Sequence, residues 1–373
     1  MPYGSGSKLS RRLACVLVFC CAGCHGVSGK STEHGLFSER HRGVSWVATP
    51  QRFEQDTFYT VLREHHVNWI VQTPFGWQQS HDTPKIRLAT GDGVMWGERD
   101  EGLVVTATWA RKHNIKTLLK PHIWITRGGG KWRSDIEMSS EADWDAWFAD
   151  YSKFILHYAR LAEENDFPAL CIGTELRKTL AQERRWHQLI RQIREVYRGQ
   201  LTYAANWWKE FEEVPFWDEL DFIGIQAYFP IADRSRPTVE AMKRNWEPHL
   251  KRIRSVQSRH GKPVVFTEIG YRNTPDNAVE PWVWPKRPEF EKISEDNYRP
   301  IPDPDVDIDL EAQAASFQAM FEVFWNQPWF QGMYVWKWHP ARLNVPPDKV
   351  LFESFSPQGG PAMDVIRQWY AKP

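Results

Sequence analysis

The chain reads as a member of the α/β class, a single (β/α)8 (TIM) barrel. Three observations predict this: eight short runs of apolar and β-favouring residues, helical periodicity between them, and no composition shift or linker that divides the chain. The clearest run, Val264-Val265-Phe266-Thr267-Glu268-Ile269-Gly270, is entered through Gly261-Lys262-Pro263 and reads as a strand buried on both faces, as a parallel sheet requires. It carries a glutamate at its carboxyl end. An ionised carboxylate is expensive to bury without partners, so Glu268 must emerge into a polar cleft or be met by neighbouring groups. In such a barrel the carboxyl ends of the strands are where active sites lie.

The amino-terminal end stands apart from the fold. Lys8, Arg11 and Arg12 precede an apolar run from Leu13 to Ala22 that is too short to span a bilayer and has the layout of a secretory signal. Cys21-Ala22-Gly23-Cys24 resembles a bacterial lipoprotein processing site, with Cys21 where Leu is usual, and makes Cys24 the candidate for lipidation. Residues 1–24 are therefore expected to be a signal peptide, 25–41 a polar tether, and 42–373 the (β/α)8 domain of an exported protein, secreted or held at the cell envelope. Cys15, Cys20, Cys21 and Cys24 all fall in the signal, which leaves Cys171 alone in the body of the chain and no disulfide in the fold.

Within the domain, Val44–Ala48 reads as the first strand and Arg52–His65 as a helix with Phe53, Phe58, Val61 and Leu62 at helical spacing. The second strand, Val67–Gln72, opens into a long loop, Thr73–Arg99, followed by a helix over Leu103–His113. Ile115–Lys120 is the third strand, running into Pro121–Ile125 and the Gly128-Gly129-Gly130 turn. Ser140, with Asp143 three residues on, starts a long helix to Glu164 in the manner of a capping box. Ala169–Glu175 is the fourth strand, and Gln182–Tyr197 a helix with Leu189, Ile190, Ile193 and Val196 inward, closed by Gly199. Leu201–Asn206 and Phe222–Tyr228 are strands five and six, and a helix from Pro237-Thr238 to His260 is stopped by Gly261 before strand seven. Residues 273–307, Pro-rich with Trp282 and Trp284, show no periodicity and read as a long loop. Leu310–Asn326 is a helix, Gly332–Trp336 strand eight and Ala362–Tyr370 a closing helix.

The 47 Lys+Arg balance 47 Asp+Glu, which disfavours nucleic acid as a partner. The 21 Trp, with 20 Phe and 11 Tyr, exceed ordinary packing needs, and about half of the tryptophans are expected in the core and the rest as stacking platforms. No His-Glu-x-x-His or Cys-x-x-Cys spacing supports a metal site, and His41, His81 and His339 read as ordinary loop residues. The glycine triplet lacks the Lys-Ser/Thr of a phosphate-binding loop, and no Gly-x-Ser-x-Gly elbow is present.

What remains is a pair of acids. Glu175 closes strand four and Glu268 strand seven, which sets them facing one another across a barrel mouth. Two carboxylates flanking one bond, one protonated and one ionised, are what glycoside cleavage through an oxocarbenium-like transition state requires, with Glu175 as acid-base and Glu268 as nucleophile. Tyr228, at the end of strand six, is placed to donate its hydroxyl to Glu268. Asn206, Lys120 and His122 are candidates for hydrogen bonds to sugar hydroxyls, Trp336 for the floor under the sugar being cleaved, and Trp77, Trp124, Trp207 and Trp338 for further platforms.

Ile172-Gly173-Thr174-Glu175-Leu176, Phe266-Thr267-Glu268-Ile269-Gly270-Tyr271 and Tyr334-Val335-Trp336-Lys337-Trp338 resemble glycoside hydrolase family 113, the β-mannanases, within the clan whose catalytic glutamates lie on strands four and seven. The resemblance covers about residues 42–340 and implies retaining hydrolysis of β-1,4-mannosidic bonds with no metal or organic cofactor. One departure is Thr174, since much of the clan has Asn before the acid-base, and it bears on how the substrate 2-hydroxyl is held. The expected partner is a polysaccharide or oligosaccharide, met by a monomer whose membrane attachment, if any, runs through Cys24. The alternatives are a β-glucanase or exo-β-glycosidase on the same barrel, or a surface polysaccharide-binding protein without turnover.

Overall fold

The computed structural model describes residues 39–52, 56–91, 93–286, 289–294, 297–301, 305–340 and 352–373. The expected signal peptide, Cys24 and all but the end of the tether lie outside the described residues. In chain order the first half holds β1 (His41–Trp46), α1 (Thr57–Glu64), β2 (Trp69–Gln72), β3 (Phe75–Gln78), β4 (Ile86–Leu88), α2 (Asp100–Lys112), β5 (Lys116–Leu119), β6 (His122–Ile125), α3 (Glu141–Glu164) and β7 (Ala169–Thr174). The second half holds α4 (Glu183–Val196), β8 (Gln200–Asn206), α5 (Glu210–Glu213), β9 (Phe222–Gln226), α6 (Val239–His260), β10 (Val264–Ile269), β11 (Glu289–Ser294), β12 (Asn297–Ile301), α7 (Leu310–Phe324), β13 (Phe330–Trp338) and α8 (Pro361–Tyr370).

Eight of these strands close into one barrel in the order β1-β2-β5-β7-β8-β9-β10-β13, with β13 returning to β1. All eight pairings are parallel, so every carboxyl end opens on the same face. This is the (β/α)8 architecture expected from the sequence. The strands match their predicted positions to within a few residues, and β1 begins at His41 within the expected tether. Helix caps match too. Ser140 Oγ accepts from Asp143 N at 3.1 Å, and Gly261 ends α6 in the left-handed region with φ +63°. Gly199 does otherwise. Tyr197 caps α4 in extended backbone, and a Cβ at residue 199 would lie 2.1 Å from the Tyr197 hydroxyl, so glycine is there to admit that ring.

Two expected loops carry strands. Pro74 and Pro121 interrupt the ladder where β2 and β5 would continue, because proline brings no N–H, and the chain resumes as β3 and β6. These pair parallel, with Phe75 opposite His122 and Trp77 opposite Trp124, and β4 completes a three-stranded sheet. β11 and β12 form an antiparallel hairpin in the Pro-rich stretch. These segments, Phe75–Gln78, Ile86–Leu88, Glu289–Ser294 and Asn297–Ile301, lack the apolar runs that mark the barrel strands.

The core has two layers. Inside the barrel, Trp69, Phe222 and Tyr334 pack with the smaller Ala169, Cys171 and Ala204, and His41 stacks on Trp69 at 4.1 Å. Between barrel and helices lies an aromatic layer that includes Trp147, Trp186, Trp217, Trp246, Trp325 and Trp338, all fully buried. With Trp46, Trp69, Trp96, Trp144 and Trp369 they make eleven buried tryptophans, about half of the 21.

Candidate active site

Glu175 follows directly on β7 with φ +53°, a left-handed conformation that costs a residue bearing a Cβ. Its N–H donates to the Ala204 carbonyl on β8 at 2.9 Å, which holds the turn. Its carboxylate is 7% exposed; Oε1 accepts from Asn206 Nδ2 at 2.8 Å and Oε2 from Trp132 Nε1 at 3.1 Å. Arg133 Nε lies 3.3 Å from the same Oε2, an ion pair by distance whose N–H is not aligned for a hydrogen bond. Trp132 and Arg133 come from a short turn beyond β6, pinned by Trp132 N donating to Asp135 Oδ2 at 3.0 Å.

Glu268 lies in β10 and is 6% exposed. Its Oε2 accepts from Lys120 Nζ at 2.8 Å and Gln226 Nε2 at 2.9 Å, and its Oε1 accepts from the Tyr228 hydroxyl. Burial by itself would raise this carboxyl's pKa. The Lys120 charge and the bonds from Lys120, Tyr228 and Gln226 outweigh burial and hold it below the ordinary carboxylate range. Burial and the Glu268 charge push the Tyr228 phenol well up, so it stays a donor.

The two acids open on one cleft of about 440 Å³ at the carboxyl face of the barrel. Asn206, Gln226, Tyr228 and Arg133 supply its polar wall, and Trp132, Trp207, Trp282, Trp284, Trp336 and Phe355 its aromatic wall. Trp207 stacks on Trp282 at 4.9 Å, and Trp284 meets Trp336 edge-on at 6.4 Å. Among the described residues no group of His, Cys, Asp and Glu is arranged to hold a metal ion. The cleft offers a buried anion, a second carboxyl and flat apolar faces, which suits a neutral polyhydroxylated ring.

Residues 43–300 match the sequence profile of Glycoside Hydrolase Family 113. The chain belongs to this family. A solved β-1,4-mannanase of family 113 superposes with TM-score 0.72 at 23% identity, covering 90% of this chain and all (100%) of that one. The family 113 β-mannanase AaManA from Alicyclobacillus acidocaldarius, in complex with ManMIm, gives TM-score 0.72 at 26% identity over 89% of this chain and 97% of that one. A β-glucuronidase from Ruminococcus gnavus shares the fold at TM-score 0.56 and 12% identity, over 89% of this chain and 50% of that one. No curated protein sequence is significantly similar to the chain.

In this glycoside hydrolase, Glu175, Glu268, Tyr228, Asn206, Trp336 and Trp207 come together at the cleft as their strand-end positions predict. The others are placed differently. Lys120, expected to meet sugar hydroxyls, is fully buried and directs its ammonium to Glu268, Gln226 and the Thr267 carbonyl. His122 is 4% exposed beside Phe75, its pKa held well down by burial and the Arg133 and Lys120 charges, and it does not line the cleft. Trp124 meets Trp132 edge-on at 5.7 Å and so backs a cleft residue, while Trp77 sits beside it on β3 with Arg87 over its face. Trp338, expected as a platform, is 1% exposed and belongs to the core. Thr174 is likewise buried, with its Oγ1 3.7 Å from Cys171 Sγ, and faces the barrel interior.

Arg133, Trp132, Gln226 and Phe355 were not anticipated, nor was a cleft role for Trp282 and Trp284. Gln226 carries the same signal as the two glutamates, a polar residue closing an apolar run, Phe222–Gln226.

Lys120 gives a prediction of its own. Lys120→Met removes the countercharge of Glu268, so burial then governs and the carboxyl titrates higher. The acidic limb of kcat/KM is expected to move to higher pH. Wild-type stability from this pair is present above the unfolded carboxylate pKa and lost as pH falls through the lower folded value; the variant lacks it at every pH above that window, so it should be less stable by about 3–5 kcal/mol in urea unfolding at neutral pH. An unchanged acidic limb would exclude Lys120 as the group that keeps Glu268 ionised.

Proposed function

We propose that this family 113 hydrolase cleaves β-1,4-linked mannan with net retention. Glu268 attacks the anomeric carbon while Glu175 passes its proton to the departing glycosidic oxygen. Water then attacks the glycosyl ester from the face the leaving group vacated, giving its proton to Glu175 and freeing Glu268. The observation that carries this reading is the setting of Glu268. Glu268 is buried, cationically paired and held ionised as a nucleophile must be, and it shares its cleft with Glu175, whose own partners leave it opening on the same space. Mannan as substrate is supported by the family and by the named activity of the Alicyclobacillus relative.

The test is proton NMR of the earliest products from mannan, with cellulose, xylan and mixed-linkage glucan as comparators. Retention predicts β-anomer manno-oligosaccharides that mutarotate later; α-anomers first would sink the two-glutamate scheme, and release from glucan alone would sink the substrate. We also propose export and lipidation at Cys24, on the signal-like segment that ends there. Labelling with a fatty-acid analogue in a bacterial host should mark the chain and fail with Cys24→Ala; a labelled variant would refute the assignment.

A further inference from the structure

We infer that Glu210, a buried carboxyl outside the cleft lining, is the positioning residue of Glu175, acting through Asn206 on one side and Tyr203 on the other. The inference rests on the reading of Glu175 as the acid-base.

Glu210 opens the short helix α5 and has no exposed surface. Its Oε2 accepts from the Asn206 backbone N–H at 2.8 Å, and its Oε1 from the Tyr203 hydroxyl at 2.5 Å. That hydroxyl in turn accepts from the N–H of Leu176, the residue after Glu175, at 2.8 Å. Asn206 Nδ2 completes the loop on Glu175 Oε1. The amide cannot be turned over without loss, because Asn206 Oδ1 already accepts from Trp208 N at 2.8 Å, so the NH2 must face Glu175. One carboxyl thus governs a closed circuit, Glu175 to Leu176 to Tyr203 to Glu210 to Asn206 and back.

What the circuit fixes is the orientation of the acid. A non-glycine residue persists in a left-handed conformation only where its surroundings over-determine it. Here the Ala204 carbonyl holds the chain on the amino side of Glu175, the Tyr203 hydroxyl on the carboxyl side, and Asn206 the side chain. The Tyr203 ring is wedged against Trp186 and Phe216, and residue 173 must be glycine to admit it, since a Cβ there would stand 2.7 Å from the ring. A fully buried carboxyl is unfavourable unless it satisfies donors. Burial pushes Glu210 up to about 8, and in either protonation state it offers an acceptor oxygen to Asn206 N–H.

The test separates positioning of the acid from general support of the fold. Glu210→Ala should lower kcat/KM on manno-oligosaccharides, whose alkoxide leaving group needs a proton, by about 10- to 100-fold. On 2,4-dinitrophenyl β-mannoside, whose leaving group departs unaided, kcat/KM should stay within about threefold of wild type. Glu210→Gln, which keeps an acceptor for Asn206 N–H, should recover most of the loss. Tyr203→Phe, which deletes one arm and keeps the ring, should show the same split more weakly, and it carries the test if the alanine variant does not fold. Equal losses on both substrates, or no loss on either, would overturn the inference. Crystals give an arm independent of turnover: the Asn206–Glu175 contact should open beyond ~3.5 Å in Glu210→Ala, and a contact still at 2.8 Å overturns the inference. Were the wild type inert on every mannoside, the proposed function would fail while the crystallographic arm still decided the role of Glu210.

Discussion

Glu268→Ala is expected to reduce turnover of mannan on the order of 10⁴-fold or more, the scale at which loss of a covalent nucleophile is felt when its partners act as a unit. The structure adds a signature that ordinary loss of activity lacks. The substitution leaves the Lys120 ammonium fully buried with only Gln226 Oε1 and the Thr267 carbonyl as acceptors. Breaking a buried ion pair from one side costs about 3–5 kcal/mol, whereas replacing both members with apolar groups is far milder. Glu268→Met with Lys120→Met should therefore be inactive yet more stable than either single variant, a non-additivity that urea unfolding measures directly. Azide, small enough to enter the space left in Glu268→Ala, attacks from the face the carboxylate occupied and should yield the α-mannosyl azide from an activated β-mannoside. Near-wild-type turnover in Glu268→Ala would remove Glu268 as nucleophile.

The residues found from sequence share one property: each is a polar or aromatic group at the end of an apolar run. Parallel strands in a barrel bring such ends together whatever their separation in the chain, so Glu175, Asn206, Tyr228, Glu268 and Trp336 were locatable before any contact was known. Lys120 satisfies the same rule, which gives its position and not its partner. Which way its ammonium turns depends on Gln226 and Thr267, on strands with no sequence proximity to it. Trp132, Arg133 and Phe355 lie in irregular segments with no period to read. The circuit through Glu210 was hidden for a different reason. An acid at the start of a four-residue helix looks like one more surface charge, and only burial at 0% exposure and two convergent donors distinguish it.

Glu175→Ala separates the two chemical steps. On mannan, where the leaving oxygen must be protonated as the bond breaks, kcat/KM should fall about 10²- to 10⁴-fold, the range removed with a general acid. On 2,4-dinitrophenyl β-mannoside the first step needs no acid, so kcat/KM should change little while kcat collapses, because the second step has lost the base that activates water. The glycosyl ester on Glu268 should then accumulate, visible as a burst of dinitrophenolate and as protein heavier by one anhydrohexose. Azide needs no deprotonation and should restore turnover as the β-mannosyl azide, opposite in configuration to the product of Glu268→Ala. The pair of anomers is the decisive readout, since misfolding or a generally damaged cleft predicts neither. Two variants giving the same anomer would place both glutamates on one side of the reaction and break the assignment.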